Sequence, residues 1–211
     1  MSLAGKVVVV TGSTKGIGKA VIERVAAHGA SIVINYSSDG VPAEEMVRKI
    51  GSDRALAVKA DVSSIPEIEK LVSARWKSSG PYFLVQKAVP HMPRDGRIIL
   101  VSTGILHNST VAPRYLLYAA SKGPIEQMTR VMAKDLGQKY DITVNCIAPG
   151  PTATEMFFQG KSQEMINMIA GFSPLNRLGK PEEIAEVAAF MAGPGSSWVS
   201  GQVIGANEGS F

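Results

Sequence analysis

Lys6-Val7-Val8-Val9-Val10-Thr11-Gly12-Ser13-Thr14-Lys15-Gly16-Ile17-Gly18 carries the strongest structural signal in the chain. A continuous apolar run ends in a glycine-rich turn, after which Ile17, Val21 and Val25 recur four apart up to Gly29. The run reads as a strand buried on both faces, and the recurrence as one face of a helix that stops at Gly29. Glycines between a strand and a helix let the backbone turn sharply and approach a pyrophosphate, which rests on the N–H groups of the helix start. Three glycines alone mark any tight turn. Placed between a buried strand and an amphipathic helix, they point to dinucleotide binding.

Outward from this stretch, short β-branched runs alternate with helical patterns. Strands are predicted at Ser31–Asn35, Ala55–Lys59, Arg97–Ser102, Ile142–Ile147 and Gln202–Gly205. Helices are predicted at Pro42–Ile50, near Ile65–Trp76, and at Pro81–Met92, Leu116–Tyr140, Ser162–Ala170 and Pro181–Met191. Such alternation predicts a Rossmann-type α/β fold, a doubly wound and mostly parallel sheet with helices on both faces, in a single domain over 1–211. One region breaks it: two helices follow each other across residues 65–92 with no strand between them. A doubly wound sheet crosses to its second half through a strand beside the first one, and without it backbone groups at the sheet centre lack partners. A segment of roughly 30 to 45 residues, about one βαβ piece, is therefore expected to be missing between about Ala74 and Gly80.

Composition narrows the function classes. The chain has 211 residues, 45% apolar and 19% charged, as an ordinary globular domain has. The net charge of +4 comes with no clustered Lys/Arg stripe, which argues against nucleic acid as a partner. The apolar run Val7–Val10 is far shorter than the roughly 20 residues a membrane span needs. Met1–Gly5 does not read as a signal peptide. With Cys146 as the single cysteine, a reducing, cytoplasmic location is expected. His28, His91 and His107 are scattered without ligand spacing, so no metal site is expected. Cys146, among Val144, Ile147 and Ala148, reads as a buried, inert thiol.

The chemistry resides in Tyr118-Ala119-Ala120-Ser121-Lys122, a YxxxK sequence on a helical stretch. Spacing of four puts phenol and amine on one face, one turn apart. A phenol titrating near 10 is a poor acid–base at neutral pH, and a neighbouring ammonium favours its phenolate. Tyr118 can then give its proton to a carbonyl oxygen. The strand beginning at Arg97 ends in Ser102-Thr103, either of which can donate a hydrogen bond to that oxygen.

The TGxxxGxG spacing, the YxxxK pair and Asn145-Cys146-Ile147-Ala148-Pro149-Gly150 together resemble the short-chain dehydrogenase/reductase family over nearly the whole length. The resemblance implies a nicotinamide cofactor and a homodimer or homotetramer. It implies that Gly12, Ser13, Lys15, Gly16, Ile17 and Gly18 form the phosphate loop, with Asp61 and Val62 at the adenine. Tyr118 and Lys122 also touch the cofactor, and Pro149, Gly150, Thr152 and Thr154 grip the carboxamide. Thr103 falls on the family's catalytic serine position, a departure that keeps the hydroxyl, with Ser102 as the alternative. The second strand ends Asn35-Tyr36-Ser37-Ser38, with no carboxylate until Asp39. NAD enzymes usually place an acid at this strand end for the ribose 2′-OH. Hydroxyls and amides here, with Lys15 in the loop, suit a 2′-phosphate, so NADPH is the expected cofactor. Lys77 stands where the family has an asparagine, and the family's Asn-Asn-Ala-Gly motif is absent. Residues of about 155–175, including Met156, Phe157, Phe158, Met165 and Met168, read either as plain helix packing or as a substrate lid. Three stretches, beginning at Gly80, Val111 and Ile142, are most similar to fungal polyhydroxynaphthalene reductases, with 3-oxoacyl carrier-protein reductases second. A small-molecule ketone or quinone-like substrate follows. The rival reading is a catalytically inactive relative that binds NADPH.

Overall fold

The isoleucines and valines of Ser31–Tyr36 form the best-buried strand of the N-terminal half, β2, flanked by β1 (Val7–Val10) and β3 (Ala55–Lys59). In this computed structural model, which describes residues 2–64, 80–109 and 111–209, the chain divides into two compact units, Met1–Pro93 and Arg94–Phe211. The first unit has a parallel sheet in the order β1-β2-β3, with Val8 beside Ile32 and Ile34 beside Ala57. Helix α1 (Gly16–Ala27) returns the chain between β1 and β2, and α2 (Val41–Ile50) between β2 and β3. Asp39 starts α2, its Oδ1 accepting from Val41 N at 3.0 Å, and Pro42 sits in the first turn where its missing N–H costs nothing. Helix α3 (Gly80–Ala88) runs into a 3₁₀ turn at Val89–His91. Ile22 and Val25 of α1 meet a core that holds Ile32, Ile34 and Met46, all nearly solvent-free. Each such side chain contributes roughly 1.5–3 kcal/mol on leaving water.

The second unit repeats the plan. Strands β4 (Arg97–Val101), β5 (Thr143–Pro149) and β6 (Val203–Ala206) pair in parallel in that order. Helix α4 (Leu116–Tyr140) lies between β4 and β5 in the chain. It stops at Asp141, whose left-handed φ of 62° turns the chain back toward β5. Helices α5 (Glu155–Phe158), α6 (Gln163–Ala170) and α7 (Pro181–Ala192) precede β6. β5 is buried from Val144 to Pro149, as a strand covered on both faces must be. The doubly wound α/β class expected from the sequence is the class observed.

Four sequence expectations need adjustment. β1 begins at Val7, and β4 ends at Val101, leaving Ser102 outside the strand. β5 runs on to Pro149, past its expected end at Ile147, whereas α5 falls in the stretch read as plain helix packing or a substrate lid. β1 is also not buried as expected. Val7 is 50% exposed and none of its residues is fully covered, because among the described residues β1 pairs with β2 alone. The helix expected near Ile65–Trp76, and most of the span expected to lack a βαβ piece, lie outside the described residues. Among the described residues, no helix is long and apolar enough to cross a membrane.

Candidate active site

In the first unit, the turn between β1 and α1 is set by its glycines. Gly12 and Gly16 adopt φ of +60° and +54°, which side-chain-bearing residues avoid. A Cβ on Gly18 would stand 2.5 Å from the Gly12 carbonyl oxygen, so helix and turn can approach this closely only with glycine there. A Cβ on Gly12 would meet nothing within 4 Å, so that side of the turn opens on free space. The first turn of α1 holds no acidic residue, and its N-cap, Lys15, makes no capping hydrogen bond with its side chain. Helix-start N–H groups without internal acceptors, a positive dipole end and the exposed Lys15 suit an anion.

The turn is fastened from behind by residues whose part was not read from the sequence. Asn35 is 2% exposed, and its Oδ1 accepts from Gly12 N at 3.2 Å. Its Nδ2 donates to Val58 O at 3.3 Å and Ala60 O at 2.9 Å. The buried Ser13 accepts from Asn35 N at 2.9 Å and donates to Asn35 O at 3.2 Å. Both side chains are thus committed inside the unit, fixing the loop's shape. Tyr36 is half-buried with its ring against Gly40, and Ser37 and Ser38 are exposed. Asp61 accepts from Ser63 N at 2.8 Å and Ser63 Oγ at 2.7 Å, which holds its carboxyl below the usual range. Val62 packs on the Val33, Val58 and Ala60 cluster.

In the second unit, Lys122 donates from Nζ to the carbonyl of Val101, the last residue of β4, at 3.1 Å. This bond sets the Tyr118–Lys122 turn of α4 against the strand end that leads to Thr103. Burial lowers the Lys122 pKa from the ordinary lysine value. Tyr118 is 46% exposed. Ser102 and Thr103 are both buried after β4, and their hydroxyls differ in the bonds they make. Ser102 is buried, with Oγ donating to Glu126 Oε1 at 3.0 Å. Thr103 Oγ1 accepts from Ile105 N at 3.4 Å, capping the 3₁₀ turn Gly104–His107, so its own hydroxyl hydrogen has no acceptor among these bonds. Glu126 and His107, 3.3 Å apart, complete this cluster, and neither was singled out for it by the sequence. The available signal was spacing, since Glu126 falls four residues after Lys122.

Gly150 and Thr152 are drawn together by a 2.9 Å bond from Thr152 Oγ1 to Gly150 O, with Pro149 buried before them. Thr154 caps α5, accepting from Phe157 N at 3.2 Å. Met156, Phe158, Met168 and Phe172 are exposed. In the same unit, Arg177 clasps both oxygens of Glu183 at 2.8 Å and holds that carboxyl down at about 2.

Cys146 is fully buried on β5, and burial pushes its thiol up from 9.0 to about 11, helped by the nearby Glu126 charge. Stability linked to this thiol is complete below pH 9.0 and is lost as pH rises through about 11. Folded protein near pH 8 is expected to resist alkylation at Cys146, with roughly 100-fold less thiolate than an unshifted thiol. Labelling with iodoacetamide checks this, since only unfolding should expose the group. Labelling of the native protein at a free-thiol rate would be the contrary result.

A family model described as short chain dehydrogenase matches residues 6–78, and one described as enoyl-(acyl carrier protein) reductase matches residues 75–210. The chain belongs to the short-chain dehydrogenase/reductase family. Within that family it is 36% identical to the hydroxynaphthalene reductase-like protein Arp2 of Metarhizium guizhouense, covering 99% of this chain and 96% of that one. It is 32% identical to the NADPH-dependent aldehyde reductase-like protein, chloroplastic, of Arabidopsis thaliana, covering 99% of this chain and 95% of the other. Among solved structures it resembles the angucycline C-6 ketoreductase LanV with bound NADP, at 29% identity, a TM-score of 0.86, and coverage of 99% and 96%. The Arp2 alignment runs over 258 positions, more than the 211 residues of this family member can fill. At least 47 positions therefore face gaps, and the two family models change over at residues 75–78, inside the span where the sequence suggests a missing piece.

Proposed function

We propose that this short-chain dehydrogenase/reductase is an NADPH-dependent reductase of small ketones or quinone-like carbonyls, aromatic polyketides among them. The observation that carries the reading is the 3.1 Å bond from Lys122 Nζ to Val101 O, which holds the amine and the Tyr118 turn at the strand end bearing Thr103. The names of the hydroxynaphthalene reductase-like and ketoreductase relatives support the substrate class. Gly16, Ile17 and Gly18 would present the helix start to the pyrophosphate on a turn that Gly12 and Ser13 shape through Asn35, with Lys15, Ser37 and Ser38 toward a 2′-phosphate and Asp61 and Val62 toward the adenine. Pro149, Gly150, Thr152 and Thr154 would hold the carboxamide end. When bound, NADPH supplies the hydride. Thr103 donates its hydroxyl hydrogen to the carbonyl oxygen and orients it. Tyr118 gives that oxygen its proton, and the Lys122 ammonium stabilises the phenolate left behind.

The proposal takes residues 1–211 as one dinucleotide-binding and catalytic domain, with about 155–175 as a substrate lid. It includes a homodimer or homotetramer, supported by the exposure of Leu116, Leu117 and Val131 on α4. A cytoplasmic location is supported by the single cysteine. The missing alignment positions favour a second reading, an NADPH-binding protein without turnover. The two separate in one experiment. Purified protein is titrated with NADPH by fluorescence, then given a panel of aromatic ketones, quinones, aldehydes and 3-oxoacyl thioesters while nicotinamide absorbance is followed. Binding with oxidation of NADPH is the expected result. Binding without oxidation selects the second reading, and no binding removes both.

A further inference from the structure

Glu126 is a carboxylate that the proposed reaction does not use, yet its side chain is only 7% exposed. Burial of such a group is unfavourable unless partners repay it. It lies one helical turn beyond Lys122 and two beyond Tyr118, on the same face of α4. Its Oε1 accepts from Ser102 Oγ at 3.0 Å and stands 3.3 Å from His107 Nε2. Ser102 directly precedes Thr103, and His107 closes the 3₁₀ turn that Thr103 caps. A single carboxylate oxygen thus ties down both ends of the segment that presents the Thr103 hydroxyl. The same arrangement commits Ser102 to a positioning part and leaves Thr103 to meet the substrate.

Resting on the reductase reading above, we propose that Glu126 is a positioning residue for carbonyl reduction: through Ser102 and His107 it fixes the Thr103 hydroxyl relative to Tyr118 and Lys122. The consequence is a kcat effect separable from cofactor binding. Loss of the tether lets the Thr103 segment shift while the glycine turn in the other unit keeps its own hydrogen bonds. A displacement of an ångström at a reacting group can cost about 100-fold in rate.

The test compares wild type with Glu126→Ala, Glu126→Gln, Ser102→Ala and His107→Gln. Steady-state kinetics use a ketone that the wild type reduces, with NADPH binding and melting temperature measured alongside. Glu126→Ala is expected to lower kcat by about 100-fold with NADPH affinity within about twofold, and Glu126→Gln to recover most of it by still accepting from Ser102. Ser102→Ala and His107→Gln should each lower kcat, and neither should add to Glu126→Ala, because all three cut one tether. If Glu126→Ala does not fold, the Ser102 and His107 variants decide the matter from the other side. A role in stability alone would lower melting temperature and NADPH binding together, with kcat of the folded fraction intact, and would overturn the proposal. Unchanged kcat in the Ser102 and His107 variants would also overturn it while leaving the reductase reading in place. A wild type that binds NADPH but reduces no carbonyl overturns the reductase reading and this role with it.

Discussion

Tyr118→Phe is expected to lower carbonyl reduction by roughly 10²–10⁴-fold, the usual contribution of a positioned general acid. NADPH affinity should stay nearly unchanged. Phenylalanine keeps the ring and the helix register, and the Tyr118 backbone carbonyl, which accepts from Ser121 Oγ at 2.7 Å, survives the change. What disappears is the hydroxyl proposed to protonate the substrate oxygen beside Lys122. Lys122 itself remains bonded to Val101 O, so the site's frame persists without its acid. Nicotinamide absorbance with a reducible ketone, next to fluorescence titration with NADPH, separates the two quantities. Turnover within a few-fold of wild type would take Tyr118 out of the mechanism.

Gly18→Ala is the second large effect, and it acts on the other half of the proposed site. The new methyl would lie 2.5 Å from Gly12 O, 3.0 Å from Ser13 Cα and 3.1 Å from Gly12 C. All three are backbone atoms, so no rotamer change can make room. Either α1 slides away from the turn or the turn breaks from Asn35. Overpacking of this kind costs about 1–3 kcal/mol, occasionally more. If that cost falls on the loop conformation that receives the pyrophosphate, NADPH affinity drops about 10- to 100-fold. Calorimetric titration and thermal melting are the checks, with both affinity and melting temperature expected to fall. Wild-type affinity would mean that the cofactor does not use this turn.

Much of the fold was legible because its signals are local. The valine run, the glycine turn and the four-residue recurrence in α1 sit in one contiguous stretch, and YxxxK needs only helical spacing. Strand ends moved by a residue or two, as at Ser102, since the last pairing depends on a neighbour far off in sequence. The parts that escaped are tertiary. Nothing near Asn35 in sequence announces that its amide hydrogens will go to Val58 and Ala60. Nor does anything near His107 announce Glu126, nineteen residues away. The choice between Ser102 and Thr103 was open in sequence for the same reason, because it turns on where the Ser102 hydroxyl finds an acceptor.

The fastening of the glycine turn by Asn35 and Ser13 bears on the speed and thermodynamics of capture. A loop already held by six internal hydrogen bonds has little backbone freedom left to surrender when an anion arrives. Gly12 N and Ser13 N are already spent on Asn35, so the N–H groups at the start of α1 are the ones left for an anion, and on a turn fixed in advance little of the interaction would go into ordering the receptor.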